Sequence, residues 1–338
     1  MPRPNRHAGV PLSRVSRWGT VGSGFGMSDD TPRLVTDERG LIEIPTGTAL
    51  NFSKQYQVLQ HLGEGGMGKV YKAFDPLMNR YVALKVMKAD VPEGEQRRFR
   101  REARLCGSFA HPNLVRVIDV GTTHQHGLFW FAMDFLEGRD IAGAMQKGRT
   151  VPLHVVCEVF RQVLDALRYI HLRGIVHRDV KPANVFVTRD SHDPSLRIVK
   201  LLDFGVAFDS NDSSPEDPKL ILGDPRYLPP EQSRPKGVVD PRSDIYALGM
   251  SFYEAVTGHH PFQDTFGQHP RELLRCQRER KPDPPSRHLS VNTEPRKAMA
   301  IDMFFGKACA KDPGQRFQDV EVMQQALLEV GRYAGPGH

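Results

Sequence analysis

The stretch that decides the fold of this chain lies just past its midpoint and reads His177-Arg178-Asp179-Val180-Lys181-Pro182-Ala183-Asn184. A second motif, Asp203-Phe204-Gly205, follows after a short gap. Together the two segments supply two carboxylates, one lysine and one side-chain amide in a fixed order. No common structural motif requires that order of residue types, so the pattern predicts a chemical role.

The polar side chains of these segments match the parts needed to transfer a phosphoryl group from ATP. Asp179 is predicted to accept or orient the hydroxyl of the substrate, and Lys181 to offset charge on the transferring phosphate. Asn184 and Asp203 are predicted metal ligands, because hard oxygen ligands suit Mg²⁺. The alternative is a chance loop, which the full spacing disfavours. His177 alone is typical of a buried structural histidine, and we predict that role for it.

A glycine-rich stretch lies upstream and reads Gly63-Glu64-Gly65-Gly66-Met67-Gly68-Lys69-Val70. A dinucleotide-binding fold would need the last glycine to open a helix, whereas the residues that follow alternate as a strand. A P-loop would need Ser or Thr where this chain has Val70. The remaining interpretations are an ordinary hairpin turn and a strand–loop–strand flap whose backbone N–H groups approach ATP phosphates. The strand and lysine that follow favour the flap.

A lysine ends the apolar strand Val82-Ala83-Leu84-Lys85. Most lysines are solvated, but the apolar neighbours of Lys85 predict an inward-facing ammonium, which needs a charged partner. We predict that Glu102 on the following helix is this partner and that the pair steadies Lys85 against the α- and β-phosphates. Glu95 is the alternative partner, but it lies nearer the start of the helix and is expected to be solvated.

Residues 1–50 form a predicted N-terminal extension that is rich in Gly, Pro, Ser and Arg and lacks sustained periodicity. We expect it to be largely disordered. Its first 26 residues contain four arginines and no acidic residue. Met27 is an alternative start, in which case residues 1–26 would be an upstream translation artefact.

The hydrophobic pattern changes from strand-like to helical along the rest of the chain. Strands are predicted over residues 56–62, 69–74, 81–86, 114–120 and 128–135, and helices over 94–108, 156–170, 243–257, 299–309 and 320–330. The solvated face of the first helix is predicted to carry Arg97, Arg98, Arg101 and Arg104. The pattern indicates an α+β, bilobal fold. It has a small antiparallel β-sheet N-lobe with one main helix (56–136), a larger, mostly α-helical C-lobe (139–331) and a short tail (332–338).

Charge and cysteine spacing exclude several classes of function. The net charge is +6, but outside residues 1–26 the chain has 42 basic and 40 acidic side chains, which argues against a nucleic-acid partner. The four cysteines lie far apart, as expected of reduced thiols in a cytoplasmic protein without a zinc or disulfide framework. No stretch approaches the roughly 18 consecutive apolar residues of a membrane span, and the N-terminus lacks an apolar signal region. We therefore expect a cytoplasmic location and no membrane insertion.

Taken together, these motifs resemble the eukaryotic-like (Hanks-type) serine/threonine protein kinases, especially the bacterial members. The resemblance covers residues 56–331 and includes Lys181, the mark of the serine/threonine type. Further matching positions are His111-Pro112-Asn113, Pro229-Pro230-Glu231, Asp244 and Arg316. The resemblance implies the protein-kinase fold, ATP with Mg²⁺ (or Mn²⁺) as cofactors, and protein substrates with Ser or Thr. The upstream regulator is expected to be a partner protein or a ligand that the sequence does not identify.

The resemblance also implies individual roles. Asp244 would brace the backbone of the catalytic loop, and Glu231 would form a salt bridge with Arg316. Met133 would be the gatekeeper, although Met133 and Phe186 taken alone would indicate core packing. Predicted ATP-binding residues are Leu62, Gly63, Gly65, Gly66, Gly68, Val70, Ala83, Lys85, Met133, Asp134, Phe135, Leu136, Asp140 and Phe186. Among these, residues 134–136 would form the hinge to adenine, residues 70, 83 and 186 would sandwich its ring, and residue 140 would contact the ribose.

The chain departs from the family pattern at Gly223-Asp224-Pro225, where members usually carry Gly-Thr-Pro. The carboxylate of Asp224 could pair with Lys181, and it would also repel Asp179 and the incoming phosphate. Like charges about 4 Å apart cost about 1 kcal/mol in water and more when buried. We therefore expect weakened or unusual phosphotransfer. The alternatives are an Asp224 side chain that turns to solvent without effect, and a pseudokinase that acts as a nucleotide-binding signalling scaffold.

The segment between Phe204 and Glu231 contains no threonine but has Ser210, Ser213 and Ser214 among acidic residues. Arg178 normally receives an activation-loop phosphate in this family. A phosphoserine or a standing acidic residue must serve here instead, so activity is expected to depend less on loop phosphorylation than is usual. A small-molecule kinase is a further alternative, which the resemblance of residues 223–231 to a protein-substrate platform disfavours.

Overall fold

The computed structural model describes residues 56–123, 127–145, 148–190, 193, 195–210, 221–234 and 237–334, together with the residue pairs 35–36, 42–43 and 49–50. Six residues of the predicted N-terminal extension therefore form short strands, and the other residues of 1–50 lie outside the described part. The described residues form a sheet-rich N-terminal lobe followed by a helix-rich C-terminal lobe, in agreement with the predicted α+β, bilobal fold.

Antiparallel strands make up most of the N-terminal lobe. Strands β1 (Val35–Thr36) and β2 (Ile42–Glu43) pair with each other. The main sheet contains β3 (Ala49–Leu50), β4 (Tyr56–Glu64), β5 (Gly68–Asp75), β6 (Arg80–Met87), β7 (Val117–Thr122) and β8 (Phe129–Asp134), in the order β3-β4-β5-β6-β8-β7. The turn between β5 and β6 is closed by Asp75, whose Oδ1 accepts hydrogen bonds from the N–H groups of Leu77 and Met78 at 3.1 Å.

Aromatic side chains fill the two faces of this sheet. On one face, the fully buried ring of Trp130 packs edge-to-face on Tyr56, with ring centroids 5.6 Å apart. On the other, helix α1 (Glu93–Ser108) buries Phe99 against Phe131, with ring centroids 5.1 Å apart. The second contact packs α1 against β8.

The expectation that Arg101 lies on the solvated face of α1 is wrong. Arg101 is buried, and its guanidinium lies 3.4 Å from the carbonyl oxygen of Ala207. The segment after Gly205 covers this side of the helix. Helical periodicity within α1 cannot reveal that a segment about a hundred residues away buries a second face. Arg97 and Arg104 are exposed as predicted.

The strand predicted over 114–120 begins later in the structure, at Val117. The reason is that the preceding residues pair with the other lobe. Leu114 forms a parallel bridge with Leu201, and the N–H of Leu201 donates to the carbonyl of Asn113 at 2.9 Å. This short contact joins the two lobes behind the cleft.

The C-terminal lobe is built on helices. They are α2 (Ile141–Ala144), α3 (Leu153–His171), α4 (Pro241–Thr257), α5 (Pro270–Glu279), α6 (Pro295–Ala308) and α7 (Val320–Gly331). Helix α4 is buried along most of its length and forms the centre of the lobe. It begins at the N-cap Asp240, with Pro241 in the first turn, and ends at Gly258, whose φ of 74° favours glycine.

Short strands at the lobe boundary position the site. They are β9 (Gly138–Asp140), β10 (Ile175–Val176), β11 (Val185–Arg189), β12 (Arg197–Leu201) and β13 (Phe208–Asp209). Strands β12, β11 and β9 form one antiparallel sheet, and β10 pairs with β13. The 177–184 segment is the loop between β10 and β11, and the 203–205 motif follows β12. The sheet pairing therefore brings the two motifs together.

Within the described part of the chain, we find no helix that combines the length and the apolar character needed to cross a membrane.

Candidate active site

A cleft between the lobes collects almost all of the predicted nucleotide-binding residues. The cavity has a volume of about 420 Å³ and is lined from both lobes. Thirteen of the fourteen predicted residues line it, namely Leu62, Gly63, Gly65, Gly68, Val70, Ala83, Lys85, Met133, Asp134, Phe135, Leu136, Asp140 and Phe186. The exception is Gly66, at the turn between β4 and β5, where an added Cβ would meet no atom within 4 Å.

The cleft also contains residues that the motifs did not predict. They are Glu64, Cys106, Val115, Phe131, Ala183 and Leu202. Three of them had a usable sequence signal. Glu64 and Ala183 lie inside the two motifs, and Leu202 directly precedes Asp203. The others, Cys106, Val115 and Phe131, enter through tertiary packing that local patterns do not encode.

The glycine-rich stretch is a β-hairpin. Strand β4 ends at Glu64, β5 begins at Gly68, and the Gly65 N–H donates to the Gly68 carbonyl at 2.9 Å. A Cβ on Gly68 would lie 2.6 Å from the carbonyl oxygen of Val86, so the loop needs glycine there to lie against β6. Because no helix follows the glycines, both the dinucleotide fold and the P-loop are excluded.

Lys85 and Glu102 form the predicted ion pair. The ammonium lies 2.6 Å and 2.7 Å from the two carboxylate oxygens of Glu102, and 3.7 Å from Asp203 Oδ1. Burial acts to lower the pKa of Lys85, but the Glu102 and Asp203 carboxylates outweigh it and raise the pKa above its usual value. The alternative partner, Glu95, lies 3.6 Å from Arg98 on the same helix.

Three donors hold the Asp179 carboxylate. Lys181 Nζ lies 2.6 Å from Oδ2, Asn184 Nδ2 lies 3.1 Å from Oδ2, and the Asp224 N–H donates to Oδ1 at 3.0 Å. Asp179 is buried, and this burial raises its pKa despite the neighbouring Lys181. Neither Asp179 nor Lys181 lines the cavity itself; Asn184, which does line it, connects them to it.

The loop that carries Asp179 is fixed from below by α4. Asp244 accepts hydrogen bonds from the N–H groups of His177 and Arg178 at 2.9 Å and 2.8 Å, the bracing contact that the resemblance implied. Arg178 has φ of 67°, a left-handed conformation that costs a non-glycine residue energy. Burial acts to raise the pKa of Asp244, but the hydrogen bond from His171 and the other donors hold it below its usual value.

His177 has the structural role that was predicted. It is fully buried, and its ring packs on Phe204 with centroids 4.6 Å apart. Its Nδ1 accepts the Asp179 N–H at 3.3 Å, so Nε2 carries the proton and donates to the Leu202 carbonyl at 3.0 Å. The ring thus ties the 177–184 loop to the 203–205 motif.

The donor set at the cleft fits a hard divalent cation. The Asn184 side-chain nitrogen donates to the Asp179 carbonyl at 2.8 Å. This hydrogen bond sets the orientation of the amide and leaves its oxygen as the group that could bind a metal. Burial acts to raise the pKa of Asp203, but Lys85 and Lys181 hold it below its usual value, so this carboxylate is charged at neutral pH. Amide and carboxylate oxygens are the ligands that Mg²⁺ takes in proteins.

The structure corrects the expectations for Asp224. Its carboxylate pairs with Arg226, whose guanidinium donates to Oδ1 at 3.0 Å and to Oδ2 at 2.6 Å. The side chain is 15% exposed, so it does not turn to open solvent, and its ion pair is with Arg226 and not with Lys181. Burial acts to raise the pKa of Asp224, but the hydrogen bonds from Arg226 hold it below its usual value.

The remaining predictions concern three parts of the chain. Arg316 is fully buried and lies 2.7 Å from Glu231, which is the predicted salt bridge. Asp140 lines the cleft, but its Oδ1 accepts the Gly143 N–H at 2.6 Å and so caps α2. Residues 211–220, which include Ser213 and Ser214, lie outside the described residues, and the prediction about loop phosphorylation concerns that segment.

A second and larger cavity, of about 960 Å³, lies beside the hinge on the C-terminal lobe. It shares Phe135 and Asp140 with the cleft. Its floor is formed by apolar side chains of α3, such as Val159 and Phe160. None of the residues predicted for catalysis or metal binding lines it. The smaller cleft is therefore the candidate active site on chemical grounds.

Comparisons with known proteins agree with this geometry. The family model described as "Protein kinase domain" matches residues 56–328. A probable serine/threonine-protein kinase of Corynebacterium efficiens is 34% identical over 286 residues, which cover 83% of this chain and 42% of the relative. The serine/threonine-protein kinase PknB of Mycobacterium leprae is 34% identical over 289 residues, which cover 84% of this chain and 44% of the relative. This chain thus spans less than half the length of these relatives.

A solved structure shows the same fold. The kinase domain of Mycobacterium tuberculosis PknI matches with a TM-score of 0.61 and 28% sequence identity, covering 85% of this chain and 100% of that one. The family model covers well over half of the chain. The chain therefore belongs to the protein kinase family, among its bacterial, eukaryotic-like (Hanks-type) serine/threonine members.

Proposed function

We propose that this chain is an ATP-dependent kinase that transfers the γ-phosphoryl group of ATP to Ser and Thr hydroxyls of protein substrates. The observation that carries the proposal is a set of charged and amide groups in and beside the cleft, which form two contact clusters that act on each other electrostatically. Its members are Lys85, Glu102, Asp179, Lys181, Asn184 and Asp203. The positions agree with the parts that phosphoryl transfer requires, because that chemistry depends on positioning and charge stabilisation.

In this proposal Asp179 accepts the hydrogen of the substrate hydroxyl. The raised pKa of its carboxyl makes it a stronger base than an exposed aspartate, and the three hydrogen bonds from Lys181, Asn184 and the Asp224 N–H hold it in one orientation. The Lys181 ammonium lies beside the reacting oxygen and stabilises negative charge on the transferring group. Lys85 holds the α- and β-phosphates, and Glu102 keeps its ammonium in place.

Asn184 and Asp203 would hold the metal through their side-chain oxygens. When bound, Mg²⁺ would neutralise negative charge on the ATP phosphates. Mn²⁺ favours the same oxygen donors and would substitute for Mg²⁺ in vitro. Since the pKa of Asp203 is held low, its carboxylate remains charged across the physiological pH range.

The adenine ring would lie between the lobes. Val70 and Ala83 would cover it from the N-terminal lobe and Phe186 from β11, and all three line the cleft. Met133 pairs with Ala83 across β6 and β8, which supports its proposed position as gatekeeper. Residues 134–136 would hydrogen-bond the base, and Asp140 would contact the ribose.

Protein substrates with Ser or Thr are proposed from Lys181 and from the family. We further propose a cytoplasmic location without nucleic-acid partners or membrane insertion. Support comes from the charge balance and from four cysteines that are all free thiols. The pseudokinase alternative depended on Asp224, and the Arg226 pair removes that support.

A phosphotransfer assay tests the proposal. The purified chain, with radiolabelled ATP, Mg²⁺ and a generic protein substrate, is expected to yield phosphoserine and phosphothreonine. Asp179→Asn removes the base and is expected to lower kcat by about 10²–10⁴-fold while calorimetry still detects ATP binding. A wild-type chain that takes up no ATP with saturating Mg²⁺ contradicts the proposal, and one that binds ATP without transfer supports the scaffold alternative.

A further inference from the structure

The tripeptide Asp224-Pro225-Arg226 forms a self-contained unit beside the proposed catalytic base. Pro225 fixes φ and has no N–H, so the Asp224 carboxylate accepts the N–H of Arg226 instead, at 3.0 Å. The Arg226 guanidinium folds back and closes a bidentate pair on the same carboxylate. The local sequence therefore sets the direction of the carboxylate.

The same sequence recurs at Asp240-Pro241-Arg242 with the same geometry. There the Arg242 N–H donates to Asp240 Oδ1 at 2.8 Å, and the guanidinium lies 2.7 Å from Oδ2. That unit starts helix α4 and has no contact with Asp179 among the described hydrogen bonds. Two copies of one unit in one chain show that the pairing is encoded locally, and they supply a matched control.

What differs at Asp224 is the neighbourhood of its backbone and carboxylate. Its N–H donates to Asp179 Oδ1, so the residue sits directly against the proposed base. Lys181, which holds Asp179 Oδ2 at 2.6 Å, is also close enough to act electrostatically on the Asp224 carboxylate. The Lys181 ammonium thus contacts Asp179 and acts on the Asp224 carboxylate from a distance, while Arg226 holds the Asp224 carboxylate directly.

We propose that Arg226 is a positioning residue for phosphoryl transfer: by holding the Asp224 carboxylate, it keeps Lys181 on Asp179. In this arrangement Asp224 is harmless only together with Arg226. Removal of the guanidinium frees a partly buried carboxylate, and the lysine that the reaction uses is a cation that already acts on it. This inference rests on the proposed kinase function.

The backbone of Arg226 is anchored independently of its side chain. Its carbonyl accepts hydrogen bonds from His260 Nε2 at 2.8 Å and from the side chain of the fully buried Gln277. A change of the Arg226 side chain therefore leaves the loop backbone held, and its effect reports on the guanidinium.

A double-mutant cycle tests the inference. Arg226→Gln is expected to lower kcat about tenfold with the KM for ATP unchanged, and Asp224→Thr, which keeps the backbone N–H to Asp179, is the reference for the double variant. In the double variant, the loss of Arg226 is expected to have no effect, because no second carboxylate remains to compete. The control Arg242→Gln breaks the equivalent pair at α4 and is expected to leave kcat unchanged.

A crystal structure of Arg226→Gln gives a readout that does not require activity. The Asp224 carboxylate is expected within ion-pair distance of Lys181 Nζ. The inference is overturned if the carboxylate still points away from Lys181. It is also overturned if wild type is active and Arg226→Gln lowers kcat as much in the Asp224→Thr background as in wild type. An inactive wild type refutes the proposed function, and the crystal structure then decides the positioning role by itself.

Discussion

At the scale of single residues, the site depends on a few charged groups that are buried and paired. Lys85, Asp179 and Asp203 each have a pKa displaced from its usual value by burial and by named neighbours. Such displaced titrations cluster at functional sites. The Lys85–Glu102 pair differs from a surface ion pair in its energetic effect, because the loss of one partner would leave a buried, unpaired charge and strongly destabilise the fold.

Glu102→Gln tests that pairing. The change leaves the Lys85 ammonium buried beside a neutral amide, so unfolding free energy is expected to fall by about 3 kcal/mol and kcat/KM by at least tenfold. Denaturant unfolding and steady-state kinetics measure the two effects. Glu95→Gln, on the same helix but paired with Arg98 near the surface, is the matched control and is expected to change neither. Equal behaviour of the two variants would remove Glu102 from the site.

The sequence predicted these residues better than it predicted their surroundings. Spacing within the motifs identified Lys85 and its partner Glu102 because each motif fixes an order of residue types. It did not reveal the partner of Asp224, although the Asp-Pro unit appears at Asp75 and Asp312 too, each accepting the N–H two residues on. The burial of Arg101 was missed because tertiary contact, not helical periodicity, decides it.

At the scale of elements, helix α4 supports the catalytic loop from beneath. Asp244 is fully buried and accepts three hydrogen bonds, two from backbone N–H groups and one from His171. The strained φ of Arg178 persists because these contacts hold it. One carboxylate on a helix therefore fixes the conformation of a loop that has little regular structure of its own.

Asp244→Asn is expected to destabilise the chain and slow the reaction together. The amide offers one acceptor oxygen where two are used, so about 3 kcal/mol of unfolding free energy is lost. Because the folded pKa of Asp244 is depressed, this difference is fully present above about pH 4 and shrinks as the pH falls further.

Denaturant unfolding across pH measures this effect. Asp319→Asn, at the N-cap of α7, is the control and is expected to be neutral because asparagine caps as well as aspartate. A difference between Asp244→Asn and wild type that stayed constant down to pH 2 would argue against the depressed pKa.

At the scale of the whole molecule, the sequence predicts the two lobes but few of the contacts between them. Strand and helix patterns predicted a sheet-rich lobe before a helical one, and the structure has both. The bridge from Leu114 to Leu201 and the cover of α1 by the segment after Gly205 were not predictable, since both join residues about ninety or more positions apart. The proposed ligand lies between the lobes and should tie them together.

Nucleotide binding is therefore expected to stabilise the whole molecule. At ATP about 100-fold above its Kd with saturating Mg²⁺, linkage gives about 2.7 kcal/mol, or a rise in Tm of several degrees. Differential scanning fluorimetry with and without Mg²⁺ measures this. Asp203→Asn is expected to lose the part that depends on Mg²⁺, while Asp209→Asn, in β13, retains it. An equal shift without any divalent cation would contradict the proposed metal site.

The position of Lys85 has a mechanical consequence. Its ammonium touches Glu102 within its own lobe and reaches Asp203 across the cleft, at 3.7 Å. Hinge opening would spare the first contact and lengthen the second, which strips Asp203 of a counter-charge. An open cleft thus presents a more negative electrostatic potential to an arriving cation. On closure, the Lys85 ammonium again neutralises part of the charge on Asp203.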